Sequence, residues 1–172
     1  MEKELQQKQL YKFQMRILTN IFVSFFYIGS FKVMPGTFAS FISILVIFPI
    51  IEFKLISLYT MIFIFILVFV LSLFFIKQYS NYTKTHDSSF IVIDEFLGVY
   101  LVFIFYDLIF IINEFLTIFL IFILFRLFDI TKIFPANYID KKIKNSLGVL
   151  LDDLVASIYT IIILYSVNVY IN

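Results

Sequence analysis

The chain has 172 residues, of which 62% are hydrophobic and 15% charged, with 25 Phe, no Trp and no Cys; its mean hydropathy is +1.03. A soluble domain is about half apolar and about a quarter charged, so this chain cannot hide its apolar side chains by folding in water alone and reads as a single membrane domain. Without Cys it has no disulfide, no Cys-ligated zinc and no thiol nucleophile, and a net charge of +1 offers no surface for nucleic acid.

The first 16 residues, MEKELQQKQLYKFQMR, are polar and mixed in charge. No apolar core with a small-residue cleavage site follows them at signal-peptide distance, so they read as a cytoplasmic lead-in helix. Residues 17–28 are apolar but short, and read as a re-entrant or interfacial helix. A crossing needs about 20 apolar residues, or about 17 at the short end. Segments of that kind follow at 38–53, interrupted by Pro49, and at 55–76, which carries no charge. Three more follow at 96–112, with Asp107 towards its far end, at 115–128, of marginal length, and at 154–171. Glu52 and Lys54 mark one turn, and Asn113 and Glu114 a hairpin. Residues 131–147 form the longest polar connection and are expected to hold a surface helix. The expected fold is all-α, with about five spanning helices over 1–172.

Lys and Arg accumulate on the cytoplasmic side of membrane proteins. With the N-terminus inside, the inner segments are 1–37, 77–95 and 126–153. Twelve of the thirteen basic residues then lie inside, and only Lys54 lies outside. The same threading brings Asp94, Glu95, Arg126, Asp129, Lys132, Asp152 and Asp153 to one interface, together with the turn at Pro35, Gly36 and Thr37.

Charges in spanning segments are expensive and are usually paired or functional. Each acidic pair, Asp94 with Glu95 and Asp152 with Asp153, can be read simply as acids at a helix mouth that match the helix dipole. Two such pairs on one face are also what Mg²⁺ uses, since it takes carboxylates, phosphate oxygens and water. In FRLFDITK, Arg126, Asp129 and Lys132 recur every three residues and share a helix face. They form either an anchoring ion chain or a phosphate clamp, in which Arg126 offers a planar fork and Lys132 a point charge. In MPGTFAS, residues 34–40, the Pro35-Gly36 turn precedes a helix that Thr37 can cap, and free N–H groups there could bind phosphate. His86, the lone histidine, is either a solvated loop residue or a group near the leaving group.

Three motif blocks together resemble the phosphatidylglycerophosphatase A family of bacterial membrane phosphatases. They are GSFKVMPGTFAS at 29–40, HDSSFIVIDEFLG at 86–98, and FRLFDITK at 125–132 followed by GVLLDDLVAS at 148–157. The resemblance runs from about residue 20 to the end of the chain. It implies a helical fold and Mg²⁺-dependent removal of the terminal phosphate from phosphatidylglycerophosphate, giving phosphatidylglycerol, at the inner face of the bacterial cytoplasmic membrane. It also implies that Asp94, Glu95, Asp129, Asp152 and Asp153 are the catalytic acids, with Asp94, Glu95, Asp152 and Asp153 on the metal. Arg126 and Lys132 match its basic positions and, with Gly36, Thr37 and His86, are the candidate substrate contacts. The chain departs from the family pattern at Ala39 and Ser157, usually Gly, at Ile133, usually Pro, and at Asn145-Ser146, usually a glycine pair. These departures bear on helix packing and loop shape rather than on the charged set.

The nucleophile is left open between water and a carboxylate, as is the number of metals. The implied partner is the phospholipid substrate, and nothing points to an obligate protein partner. A rival reading, a small cation transporter or channel, would use the clustered acids as an ion site and place them near the midplane.

Overall fold

The computed structural model describes residues 2–85 and 88–171. His86 lies outside the described residues. Among the described residues, eight α-helices follow one another: α1 (Glu2–Val23), α2 (Pro35–Glu52), α3 (Leu58–Thr83), α4 (Ile93–Ile104), α5 (Tyr106–Ile109), α6 (Glu114–Thr131), α7 (Ala136–Lys142) and α8 (Ser146–Ile171). A short 3₁₀ turn, Ile28–Ser30, separates α1 from α2. There is no strand among the described residues, so the all-α expectation holds.

Local chemistry sets several helix starts. The side chain of Ser57 accepts a hydrogen bond from the Thr60 N–H and caps α3. Asn113 does the same for α6 through the Leu116 N–H. Asn145 Oδ1 accepts from the N–H groups of both Leu147 and Gly148 at the start of α8. These bonds satisfy donors that a helix leaves free at its first turn. Thr37 does not cap α2, because the helix already begins at Pro35 behind Met34, which adopts a left-handed conformation. The lead-in and residues 17–28 are likewise not separate: α1 runs continuously to Val23 and stops at a left-handed run, Phe25 to Tyr27. Pro49 does not interrupt α2, which continues to Glu52. The surface helix expected within 131–147 is α7.

Among the described residues, three helices are long and apolar enough to cross a membrane: α2, α3 and α8. The expected count of about five is not confirmed by length and composition. With 12 residues, α4 is only about 18 Å long, against about 30 Å of hydrocarbon. It ends before Phe105, beyond which α5 adds a single turn. For its part, α6 carries Glu114, Arg126 and Asp129.

The short helix is the central one. Helices α2, α3, α6 and α8 all pack on α4. Seven of its twelve residues are buried, including Leu97, Val99 and Phe103. By contrast α3 turns Tyr59, Phe63, Ile66, Val70 and Phe74 outward. An apolar face of this kind is unfavourable in water and neutral in lipid. The protein is therefore a helical membrane protein whose central element, α4, is shielded by its neighbours. Gly98 makes that shielding tight: a Cβ there would stand 2.6 Å from Phe125 Cε2 on α6 and 3.1 Å from Ser157 Oγ on α8. Ser157, where the family pattern favours glycine, is fully buried and donates to the Gly98 carbonyl at 2.8 Å. Ala39 is also fully buried. Both departures are accommodated without opening the bundle.

Candidate metal and phosphate site

The start of α4, the start of α2, the end of α6 and the second turn of α8 meet at one point. Asp94 and Glu95 occupy the first turn of α4, where acids also suit the helix dipole. Asp153 comes from α8. One carboxylate oxygen from each of Asp94, Glu95 and Asp153 lies within 4.8 Å of the other two. Asp153 is buried.

Asp152 faces elsewhere. Successive helical residues project about 100° apart, and on α8 this turns Asp152 away from Asp153. Asp152 instead accepts from Lys132 Nζ at 2.8 Å, and the same ammonium donates to Asp140 at 2.8 Å. Burial works against the charge of Lys132, but its two carboxylate partners outweigh that and hold the ammonium above its usual range. Nor are the α8 acids at a helix mouth: the Asn145 cap starts the helix at Ser146, which puts them about 10 Å along it.

Arg126 ties the arrangement together. Its Nη1 donates to Asp129, stands 3.9 Å from Glu95 Oε1, and reaches Ser40 Oγ at 3.4 Å. Asp129 also borders Asp153. Gly36 backs directly on this group. A Cβ there would lie 2.0 Å from Glu95 Oε1 and 3.2 Å from Arg126 Nη1, so only glycine lets α2 approach so closely. Thr37 lies beside Gly36 in the first turn of α2.

Four carboxylates, those of Asp94, Glu95, Asp129 and Asp153, thus gather in one group, and the Arg126 guanidinium meets two of them, Asp129 and Glu95. Excess negative charge out of water is costly unless a cation compensates it. Several buried polar atoms here have no hydrogen-bond partner: Glu95 Oε2, Asp153 Oδ2, Asp152 Oδ1, Arg126 Nε and Thr37 Oγ1. Free carboxylate oxygens beside a free guanidinium N–H and a hydroxyl fit a divalent cation together with an anionic oxygen ligand.

The structure therefore brings together Asp94, Glu95, Asp129, Asp153, Arg126 and Gly36, with Asp152 and Lys132 alongside as an ion pair. Sequence reasoning did not single out Ser40 or Asp140, and it named Ser157 only as a departure from the family pattern. Ser40 sits inside a block it had singled out, one helical turn beyond Gly36. For Asp140, eight residues beyond Lys132 on a different helix, no sequence signal exists.

The profile of a protein family described as Phosphatidylglycerophosphatase A matches residues 21–168. Phosphatidylglycerophosphatase A of Haemophilus influenzae is 30% identical to the chain over 102 residues, a stretch covering 59% of this chain and 60% of that relative. No solved structure matches the chain.

Proposed function

Since the chain belongs to the phosphatidylglycerophosphatase A family, we propose that it hydrolyses the terminal phosphate monoester of phosphatidylglycerophosphate at the cytoplasmic face of a bacterial inner membrane, with Mg²⁺ as cofactor. The observation that carries this reading is the meeting of Asp94, Glu95 and Asp153 within 4.8 Å, beside an arginine. In this reading those three acids hold the cation, and Asp152 is kept next to them by Lys132. Mg²⁺ bound there would supply positive charge to the phosphate oxygens.

The residues of the chain do the rest. Arg126, whose Nε is unpartnered, offers a remaining N–H to a phosphate oxygen and offsets charge that develops as the ester bond breaks. Asp129 holds the guanidinium in place. Thr37, whose buried hydroxyl has no partner, would donate to a second oxygen. The phosphorus–oxygen bond to glycerol breaks as a bond to water oxygen forms, and a water proton ends on the departing alkoxide. No single acid stands apart from the cluster as a nucleophile, which favours water over a carboxylate. His86 remains a candidate near the leaving group. The cytoplasmic placement is supported by the distribution of the basic residues, twelve of thirteen of which fall inside when the chain is threaded with its N-terminus on that side.

The test uses the purified full chain in detergent. Phosphate release from phosphatidylglycerophosphate is measured with and without Mg²⁺, and again with Asp94→Asn and Asp153→Asn. The expected result is Mg²⁺-dependent release that falls by about 100-fold or more in each variant. Release that survives both substitutions refutes the site. No release from the intact chain, with cation flux in vesicles instead, would favour a transporter.

A further inference from the structure

A cavity of about 410 Å³ opens between α7 and the start of α8, lined by Asp140, Lys141, Lys144, Asn145, Gly148 and Asp152 among others. Pockets for small ligands run from about 300 to 1,000 Å³. Lys141 and Lys144 are exposed side chains at its rim and belong to no ion pair among the described residues. Two of its helix-end donors are already used, because Asn145 Oδ1 takes the N–H groups of Leu147 and Gly148. Anion binding in this cavity therefore falls to the lysines. Its other wall is of opposite character. The side chain of Asp152 is nine-tenths buried, and its Oδ1 has no partner. A buried, unpaired carboxylate oxygen calls for a donor such as a hydroxyl. Inorganic phosphate would meet Asp140 and Asp152 as like charges, whereas a phosphodiester next to a hydroxyl complements both walls.

The cavity adjoins the acid group through one peptide unit. Asp153 faces Asp94 and Glu95, and Asp152, about 100° round the helix, faces the cavity. A molecule bearing a terminal monoester, a hydroxyl and an internal diester could engage both compartments. We propose that this cavity is the headgroup pocket: Lys141 and Lys144 bind the phosphodiester that joins the headgroup to the lipid, and Asp152 accepts from the glycerol hydroxyl. The identity of the ligand rests on the substrate proposed above.

Two measurements on the full chain in detergent test it. The first is binding of glycerophosphoglycerol, a soluble diester with hydroxyls and no monoester, in metal-free buffer. Saturable binding is expected, with Kd raised about tenfold in Lys141→Ala/Lys144→Ala, restored in Lys141→Arg/Lys144→Arg, and unchanged in Lys3→Ala/Lys8→Ala. The second is turnover: the double alanine variant should raise KM for phosphatidylglycerophosphate with kcat retained. Absent binding, a Kd indifferent to the two lysines, or inorganic phosphate binding as tightly as the diester would overturn the pocket. Lysine-dependent diester binding in a chain that releases no phosphate from any lipid would uphold the pocket and overturn the hydrolase reading.

Discussion

Replacing Gly36 with alanine puts one methyl group where the Glu95 carboxylate now sits. The added Cβ would be 2.0 Å from Glu95 Oε1 and 3.0 Å from its Cδ. Ordinary contact begins near 3.4 Å, so Glu95 must withdraw by more than about 1 Å or α2 must move away from α4. Glu95 has little room to withdraw, since its side chain is only 14% exposed and Arg126 stands against it. Overpacking of this kind costs about 1–3 kcal/mol. A reacting group displaced by about 1 Å can lose about 100-fold in rate. The expected outcome is a thermal midpoint in detergent lowered by several degrees and phosphate release lowered about 100-fold. Shortening the obstructing side chain in Gly36→Ala/Glu95→Asp should recover much of the stability while activity stays low. The assay is thermal unfolding alongside phosphate release at saturating Mg²⁺. Full activity in Gly36→Ala would show that Glu95 need not stay where it is and would remove it from the site.

Other substitutions probe the supports of the site. Gly98→Ala drives a methyl group to 2.6 Å from a buried ring carbon of Phe125; it should destabilise by about 1–3 kcal/mol in thermal unfolding, since the rigid, buried ring must shift. Lys132→Ala strips Asp152 and Asp140 of their common partner; a loss of about 2 kcal/mol is expected, between the exposed and buried limits for ion pairs, and Lys132→Ala/Asp152→Asn should lose less. Arg126→Lys keeps the charge but not the fork that touches Asp129, Glu95 and Ser40; phosphate release should fall about 10- to 100-fold with little change in melting. Mg²⁺ at about 100 times its Kd should stabilise the folded chain by about 2.7 kcal/mol, and Asp153→Asn should abolish most of that shift.

Much of the fold was legible because hydropathy is a bulk property. The uncharged run at 55–76 became the core of α3, and the polar stretch at 131–147 yielded α7. What hydropathy could not supply was which apolar segment faces protein rather than lipid. The segment at 96–112 is as oily as its neighbours, yet it forms the buried, broken pair α4 and α5. A glycine at position 98 facing Phe125 and Ser157 is a three-helix contact, visible only once the helices are packed. Helix starts were misplaced where capping decided them: Asn145 begins α8 well before its apolar stretch, and Met34 begins α2 ahead of Thr37.

The site shows the same division between composition and geometry. That acids from distant stretches gather at one end follows from threading apolar segments and counting lysines, which needs no coordinates. Which acids share a point does not follow, because it depends on helical phase. Asp94 and Glu95 lie in the first turn of α4, and one oxygen from each comes within 4.8 Å of an oxygen of Asp153 on α8. Asp152 and Asp153 lie inside an established helix, where adjacent side chains must diverge. Two dipeptides that look alike in sequence therefore do different work: the first supplies two oxygens to one place, and the second supplies one oxygen each to two. The partner of the diverted acid confirms the phase, since Lys132 arrives from the end of α6 on the Asp152 side while Arg126, nearly two turns earlier, reaches Glu95 on the other.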